Sequence, residues 1–219
     1  PPLPLIRPSS PVKTLGWGLY LACSWTWCIG MFLPVLLVRD WGVWAFVAFA
    51  VPNCLGAALM GWVLSRPGAE HLVFRHSTGV RWFSAVTVAF QAFFVAWLAR
   101  QGLAGWGSGA VMLGVVLAFL IAPRLRIGDG LLGALVLALS LTVFSVLLFT
   151  GSLDTRAPEP VLPSKGLLFL APVCAFGFLL CPYLDPTFLK ARTMLDDRRA
   201  KVAFTFGFCG PFLLMILGT

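Results

Sequence analysis

Charge is scarce in this chain. Of its 219 residues only 11% are Asp, Glu, Lys or Arg, against about 25% in soluble domains, while 59% are hydrophobic and the mean hydropathy is +0.93. That balance excludes an ordinary water-soluble domain and places the chain in a membrane. None of the long apolar runs carries an internal Asp, Glu, His or Lys. There is then no acid, base or nucleophile for enzyme chemistry and no proton relay, so the chain is expected not to be an enzyme. The six cysteines (Cys23, Cys28, Cys54, Cys174, Cys181, Cys209) form no CxxC pair and no Cys/His cluster. They read as small buried hydrophobes, not as disulfides or metal ligands. His71 and His76 share no helical face and read as solvated loop residues.

Basic residues outnumber acidic ones by 16 to 8. They fall between apolar runs and build no interleaved basic and aromatic surface, which argues against a nucleic-acid partner and for the membrane surface. The opening PPLPLIRPSSPVK has neither an initiating Met nor the order of a cleavable signal peptide. The closing GPFLLMILGT stops inside an apolar run. A piece of a longer protein is expected.

About 20 apolar residues cross a bilayer. On that ruler the chain divides into seven segments, roughly 15–38, 41–64, 82–99, 109–122, 131–150, 166–184 and 202–219, of which the fourth is short. Backbone in lipid must be paired internally, and the runs are too long for barrel strands, so the segments should be helices. Arg7, Lys13, Arg66, Arg75, Arg81, Arg124, Arg126, Lys190, Arg192, Arg198, Arg199 and Lys201 then fall on the side of the N-terminus. Only Arg39, Arg100, Arg156 and Lys165 fall on the other. The positive-inside rule predicts a cytoplasmic N-terminus in a bacterial inner membrane, and this opposes a rhodopsin-like or receptor-like seven-helix reading.

Polar residues gather in the first segment, where Ser24, Thr26, Trp27, Cys28 and Gly30 precede Pro34 at mid-depth. Pro34 removes one backbone hydrogen bond and crowds the carbonyl of Gly30, so the segment is either broken or kinked and packed through small residues. The sixth segment repeats the pattern in "CAFGFLLCPYLDPTFLKAR", with Phe176, Gly177, Cys181, Pro182 and Tyr183 before Asp185 and Pro186. Asp185 reads as a helix cap at the interface in preference to a break. Ser84, Thr87 and Gln91 share a face of the third segment, which should turn into the bundle, as should Asn53 beside Pro52.

Gly/Pro-interrupted spans at matching positions of two halves point to a midplane site in secondary transporters. Five spans before the second half make that half inverted. On these residues, and on the small-residue turn "VPNCLGAALMG", the chain resembles the five-plus-five inverted-repeat fold of the amino acid/polyamine/organocation superfamily, with its sodium/solute symporters. The resemblance implies that solute and sodium sit against the breaks of the first and sixth helices. It places Ser24, Thr26, Cys28, Gly30, Cys174, Gly177, Cys181 and Tyr183 near that site. A ten-helix core needs three further spans after Thr219, among them the eighth, which supplies hydroxyl ligands to sodium in many members. No cofactor is expected, and sodium stays open but without support in this chain.

The expected architecture is an all-α polytopic membrane protein of about seven transmembrane helices, the first and sixth interrupted. It has an N-terminal cytoplasmic segment (1–14), a first five-helix repeat (15–150), an outer loop (151–165) and the start of an inverted second repeat (166–219). The expected function is secondary transport of a small, largely neutral solute by alternating access. Substrate contacts are expected from Ser24, Thr26, Trp27, Cys28, Gly30, Asn53, Phe176, Gly177, Cys181 and Tyr183, with further aromatic walls from Trp25 and Phe178. The expected partners are the lipid bilayer and a solute, with protein subunits left open. The alternative is a non-transporting structural or sensory subunit of a membrane complex.

Overall fold

The structure is a computed structural model that describes residues 11–26, 28–102, 106–121, 128–151 and 159–218. Among the described residues every regular element is helical. In chain order these are α1 (Pro11–Trp25), α2 (Cys28–Trp41), α3 (Val43–Val63), α4 (Arg66–Arg75), α5 (Ser77–Gly102), α6 (Trp106–Ile121), α7 (Asp129–Phe149), α8 (Leu167–Leu180), α9 (Pro186–Met194), α10 (Asp197–Gly207) and α11 (Leu213–Leu217). Among the described residues five stretches are long and apolar enough to cross a membrane: Val43–Val63, Ser77–Gln101, Asp129–Val146, Ser164–Leu184 and Asp197–Leu217. The last of these passes through a π turn, Phe208–Phe212, because Pro211 has no N–H for the regular ladder.

The first apolar segment is interrupted, at a different place from the expected one. α1 stops at Trp25, and α2 begins at Cys28 and runs through Pro34. The interruption therefore precedes Gly30 and Pro34, near the midpoint of the apolar stretch Leu15–Val38. The sixth segment is not broken at mid-depth. α8 passes directly into a 3-10 turn, Cys181–Leu184, with the Cys181 N–H still donating to the Gly177 carbonyl. Pro182 sits in the first turn of that stretch, where a missing N–H costs least. The chain then leaves the helix at Asp185, whose ψ of 117° is extended.

Close approaches at glycine set the helix directions. A Cβ on Gly16 would meet Gly130 and one on Gly133 would meet Tyr20, so α1 and α7 run parallel. Trp41 lies against Gly166 while Phe178 lies against Gly56, so α3 and α8 run parallel too. Small residues let backbones touch where lipid offers no hydrophobic drive for association. On the far flank of α1, Gly18 faces Ala203 and Gly207 of α10.

The connections collect at two ends. One end holds Trp17, Leu64, α4, Asp129, α9 and the start of α10, tied by Lys190 to Asp129 (2.9 Å) and by the Lys190 ammonium over the Trp17 ring (5.7 Å). The other holds Arg39, Asp40 and Gly42, over which the chain straps back: the Val161 N–H donates to the Arg39 carbonyl and the Leu162 N–H to that of Asp40 (2.7 Å). Pro160 closes on Gly42, whose φ of +75° suits glycine. Lys13, Arg66, Arg75, Lys190, Arg192, Arg198, Arg199 and Lys201 cluster at the first end, which we call the basic end.

Candidate functional site

The interruption between α1 and α2 sits beside a buried polar contact of the bundle. The Trp25 indole N–H, on the last residue of α1, donates to the Asn53 side-chain carbonyl of α3 at 2.5 Å, and Asn53 is only 1% exposed. An amide in the apolar interior is tolerated when its polar atoms are paired, and here the partner is the last ring before the backbone leaves its helix. Thr26 keeps one helical bond, its N–H donating to the Ala22 carbonyl at 3.1 Å. A helix C-terminus such as that of α1 and a helix N-terminus such as that of α2 carry opposite partial charges.

Aromatic rings fill the space beneath. Trp25 lies 4.9 Å from Phe188 of α9, and Phe188 lies 5.2 Å from Phe208, which lies 5.7 Å from Phe212. Phe188, Phe204, Phe208 and Phe212 are fully buried. α9 is thus a short amphipathic helix tucked into the basic end, not a solvated loop. Asp185 caps it by accepting from the Thr187 N–H at 2.7 Å, the cap role expected from the sequence. Burial pushes the Asp185 carboxyl above its ordinary value, while the N–H groups of Thr187 and Phe188 pull it back. One turn on, Arg192 is 1% exposed, and its guanidinium bonds the Leu64 carbonyl at the end of α3, the Leu195 carbonyl and the Asp197 carboxylate. One side chain therefore fastens the ends of α3, α9 and α10.

The expected contact residues do not converge. The Ser24 hydroxyl donates to the Leu21 carbonyl (2.9 Å) and the Thr26 hydroxyl to that of Ala22 (2.6 Å), so both are spent on their own helix. Trp27 lies outside the described residues, and of Cys28 and Gly30 only the helical backbone is described. Asn53 is central but paired with Trp25. Phe176 is 69% exposed on the outer face of α8, and a Cβ on Gly177 would meet nothing within 4 Å. Both lie away from the α1 interruption on the membrane-facing side. Cys181 and Tyr183 are half-buried and pack against the core from the end of the sixth span, and Phe178 meets Phe49 at 5.1 Å.

Phe188 and Arg192 were missed by the sequence reading, although Phe188, Leu189, Arg192 and Leu195 recur at helical spacing on one face. That recurrence was the available signal. Ser84, Thr87 and Gln91 do form the less exposed side of α5. A separate cavity of about 340 Å³ opens between α2 and α5, lined by Phe32, Leu33, Leu36, Phe90, Phe93, Phe94 and Trp97. Among the described residues that line it, none is charged.

The fold defines a class, an all-helical protein in which, among the described residues, five helices are long and apolar enough to cross a membrane. Set against known protein families, curated proteins and solved structures, the chain matches none.

Proposed function

We propose that this chain is the core of a secondary transporter or transporter-like protein of the bacterial inner membrane. Its N-terminus lies in the cytoplasm and a small, largely neutral solute is recognised beside the α1–α2 interruption. The carrying observation is that interruption, at mid-span and next to the buried Trp25–Asn53 pair. Unpaired main-chain groups at membrane depth are tolerated only against protein or a cavity, and discontinuous helices offer them to a passenger. The parallel pairing of α1 with α7 and of α3 with α8 supports alternation of the spans across the bilayer. The unbroken sixth span narrows the proposal, because recognition then rests on one interrupted helix instead of two.

One observation favours the alternative of a structural or sensory subunit: the space below Trp25 is filled by the rings of Phe188, Phe204 and Phe208. Thiol accessibility separates the readings. In a protein retaining only Cys28 or only Cys181, a small aqueous thiol reagent labels the cysteine in the transporter, and a solute that binds protects Cys28. Complete resistance of both positions under every condition tried refutes transport.

A further inference from the structure

The cavity between α2 and α5 has a chemistry that the proposed solute site does not use. Its lining residues are apolar side chains, with Phe32 packed edge-on against Phe94 (5.3 Å) and Trp97 (5.7 Å). Phe93 on its rim is 65% exposed. The volume of about 340 Å³ lies within the range of ligand pockets, about 300–1,000 Å³. Both helices end on the side opposite the basic end: α2 finishes at Trp41, and α5 leaves α4 at the basic end and crosses with 26 residues.

An arginine stands one turn beyond the cavity on each helix. Leu36 is followed by Arg39, and Trp97 by Arg100, each three residues on and so on the same helical face. Arg39 is shared with Asp40 at 2.8 Å. Arg100 is exposed, and among the described residues it makes no ion pair. An apolar slot at membrane depth, ending in an exposed cation at headgroup level, matches a molecule with a hydrocarbon tail and one anionic head.

We propose that the α2–α5 cavity is a binding site for an anionic glycerophospholipid of the leaflet on the Arg39 side. One acyl chain lies against Phe32, Leu36 and Phe93, and its phosphate is held by Arg100 with Arg39 beside it. Neither half of the site suffices alone. The rings supply contact area without selecting a headgroup, and Arg100 selects the anion without fixing where its tail lies.

The test uses the full chain purified into phosphatidylcholine nanodiscs that carry a small fraction of phosphatidylglycerol with a diazirine on one acyl chain. The same probe on phosphatidylcholine serves as comparison, and adducts are mapped by peptide mass spectrometry. Adducts should concentrate on residues 32–36 and 90–97, above those on the outer faces of α3 and of the more exposed α8. The phosphatidylglycerol probe should label more than its phosphatidylcholine counterpart. R100Q should lower that ratio about fivefold, the effect of one basic residue at an anionic surface, and R100K should restore it. Adducts spread over every span in proportion to exposure overturn the proposal. So does a cavity that stays unlabelled because a second copy or another protein helix covers it, and so does an R100Q ratio equal to that of the parent.

Discussion

Replacing Arg192 by methionine keeps much of the side-chain volume and removes the guanidinium that reaches the Leu64 carbonyl, the Leu195 carbonyl and the Asp197 carboxylate. Hydrogen bonds from a charged donor contribute about 1.5–3 kcal/mol each, so the two carbonyl contacts set an upper range of about 3–6 kcal/mol. The Asp197 side chain is 69% exposed and adds little. Leu64 is half-buried at the end of α3, so its carbonyl recovers some solvation in the variant. A loss of about 2–4 kcal/mol remains, the range expected when buried polar groups lose their partner. For a chain of this length that lowers the midpoint of thermal unfolding by about 5–15 °C. Size-exclusion of the heated detergent-solubilised protein measures the shift, and amide hydrogen exchange across residues 186–195 measures loosening of α9. Arg192→Lys should fall between parent and Arg192→Met, since one ammonium cannot span three acceptors that a planar fork can. A midpoint unchanged in Arg192→Met, with exchange in α9 unchanged as well, would refute the claim that this side chain fastens three helix ends.

Asn53→Leu should destabilise by about 1–2 kcal/mol by leaving the Trp25 N–H unpaired. Combined with Trp25→Phe it should cost less than the two single changes added, and strict additivity in a double-variant unfolding cycle would argue against the pair. Gly56→Leu should cost about 1–3 kcal/mol or more by driving α3 off the Phe178 carbonyl, whereas Gly177→Leu should leave the unfolding midpoint unchanged because its Cβ meets only open space. Equal behaviour of the two variants contradicts the packing described. The Asp185 carboxyl is raised above 3.8 in the folded state, so the folded protein holds that proton more tightly than the unfolded one. Stability should therefore rise as pH falls from neutral through the raised value, and level off below 3.8. Asp185→Asn, which keeps a capping oxygen, should flatten that dependence in thermal scans. An Asn variant with the slope of the parent assigns it to another group.

Apolar character and five of the seven expected segments were legible because each rests on composition over about 20 residues, whereas among the described residues the expected first and fourth segments, 15–38 and 109–122, contain no helix long enough to cross. The Asp185 cap was legible because it is local: a short acceptor before proline at the start of a helix. The interruption in the first segment was legible in kind but misplaced. Gly30 and Pro34 carry the strongest breaking signal in the sequence, yet Ser24 and Thr26 return their hydroxyls to Leu21 and Ala22, and such side chains compete for backbone groups at a helix end. Gly177 and Pro182 misled in the other direction, one facing open space and the other standing where the span ends. The expected site scattered because periodicity places a residue on a face without naming what lies opposite. The Trp25–Asn53 bond spans 28 positions and the Arg192–Leu64 bond 128, separations about which a single sequence carries no pairing information.

The first span finds its neighbours late. Gly16 and Tyr20 wait for Gly130 and Gly133, Gly18 waits for Ala203 and Gly207, and Trp25 waits for Phe188. During synthesis α1 therefore enters the bilayer well over a hundred residues before the surfaces it fits have been made. Until then its glycine flanks are covered only by lipid or by whatever escorts the nascent chain. A ribosome that stalls before α7 is made leaves in the bilayer an α1 whose glycine flanks have no helix to close on and whose Trp25 has only Asn53 of α3 to hold.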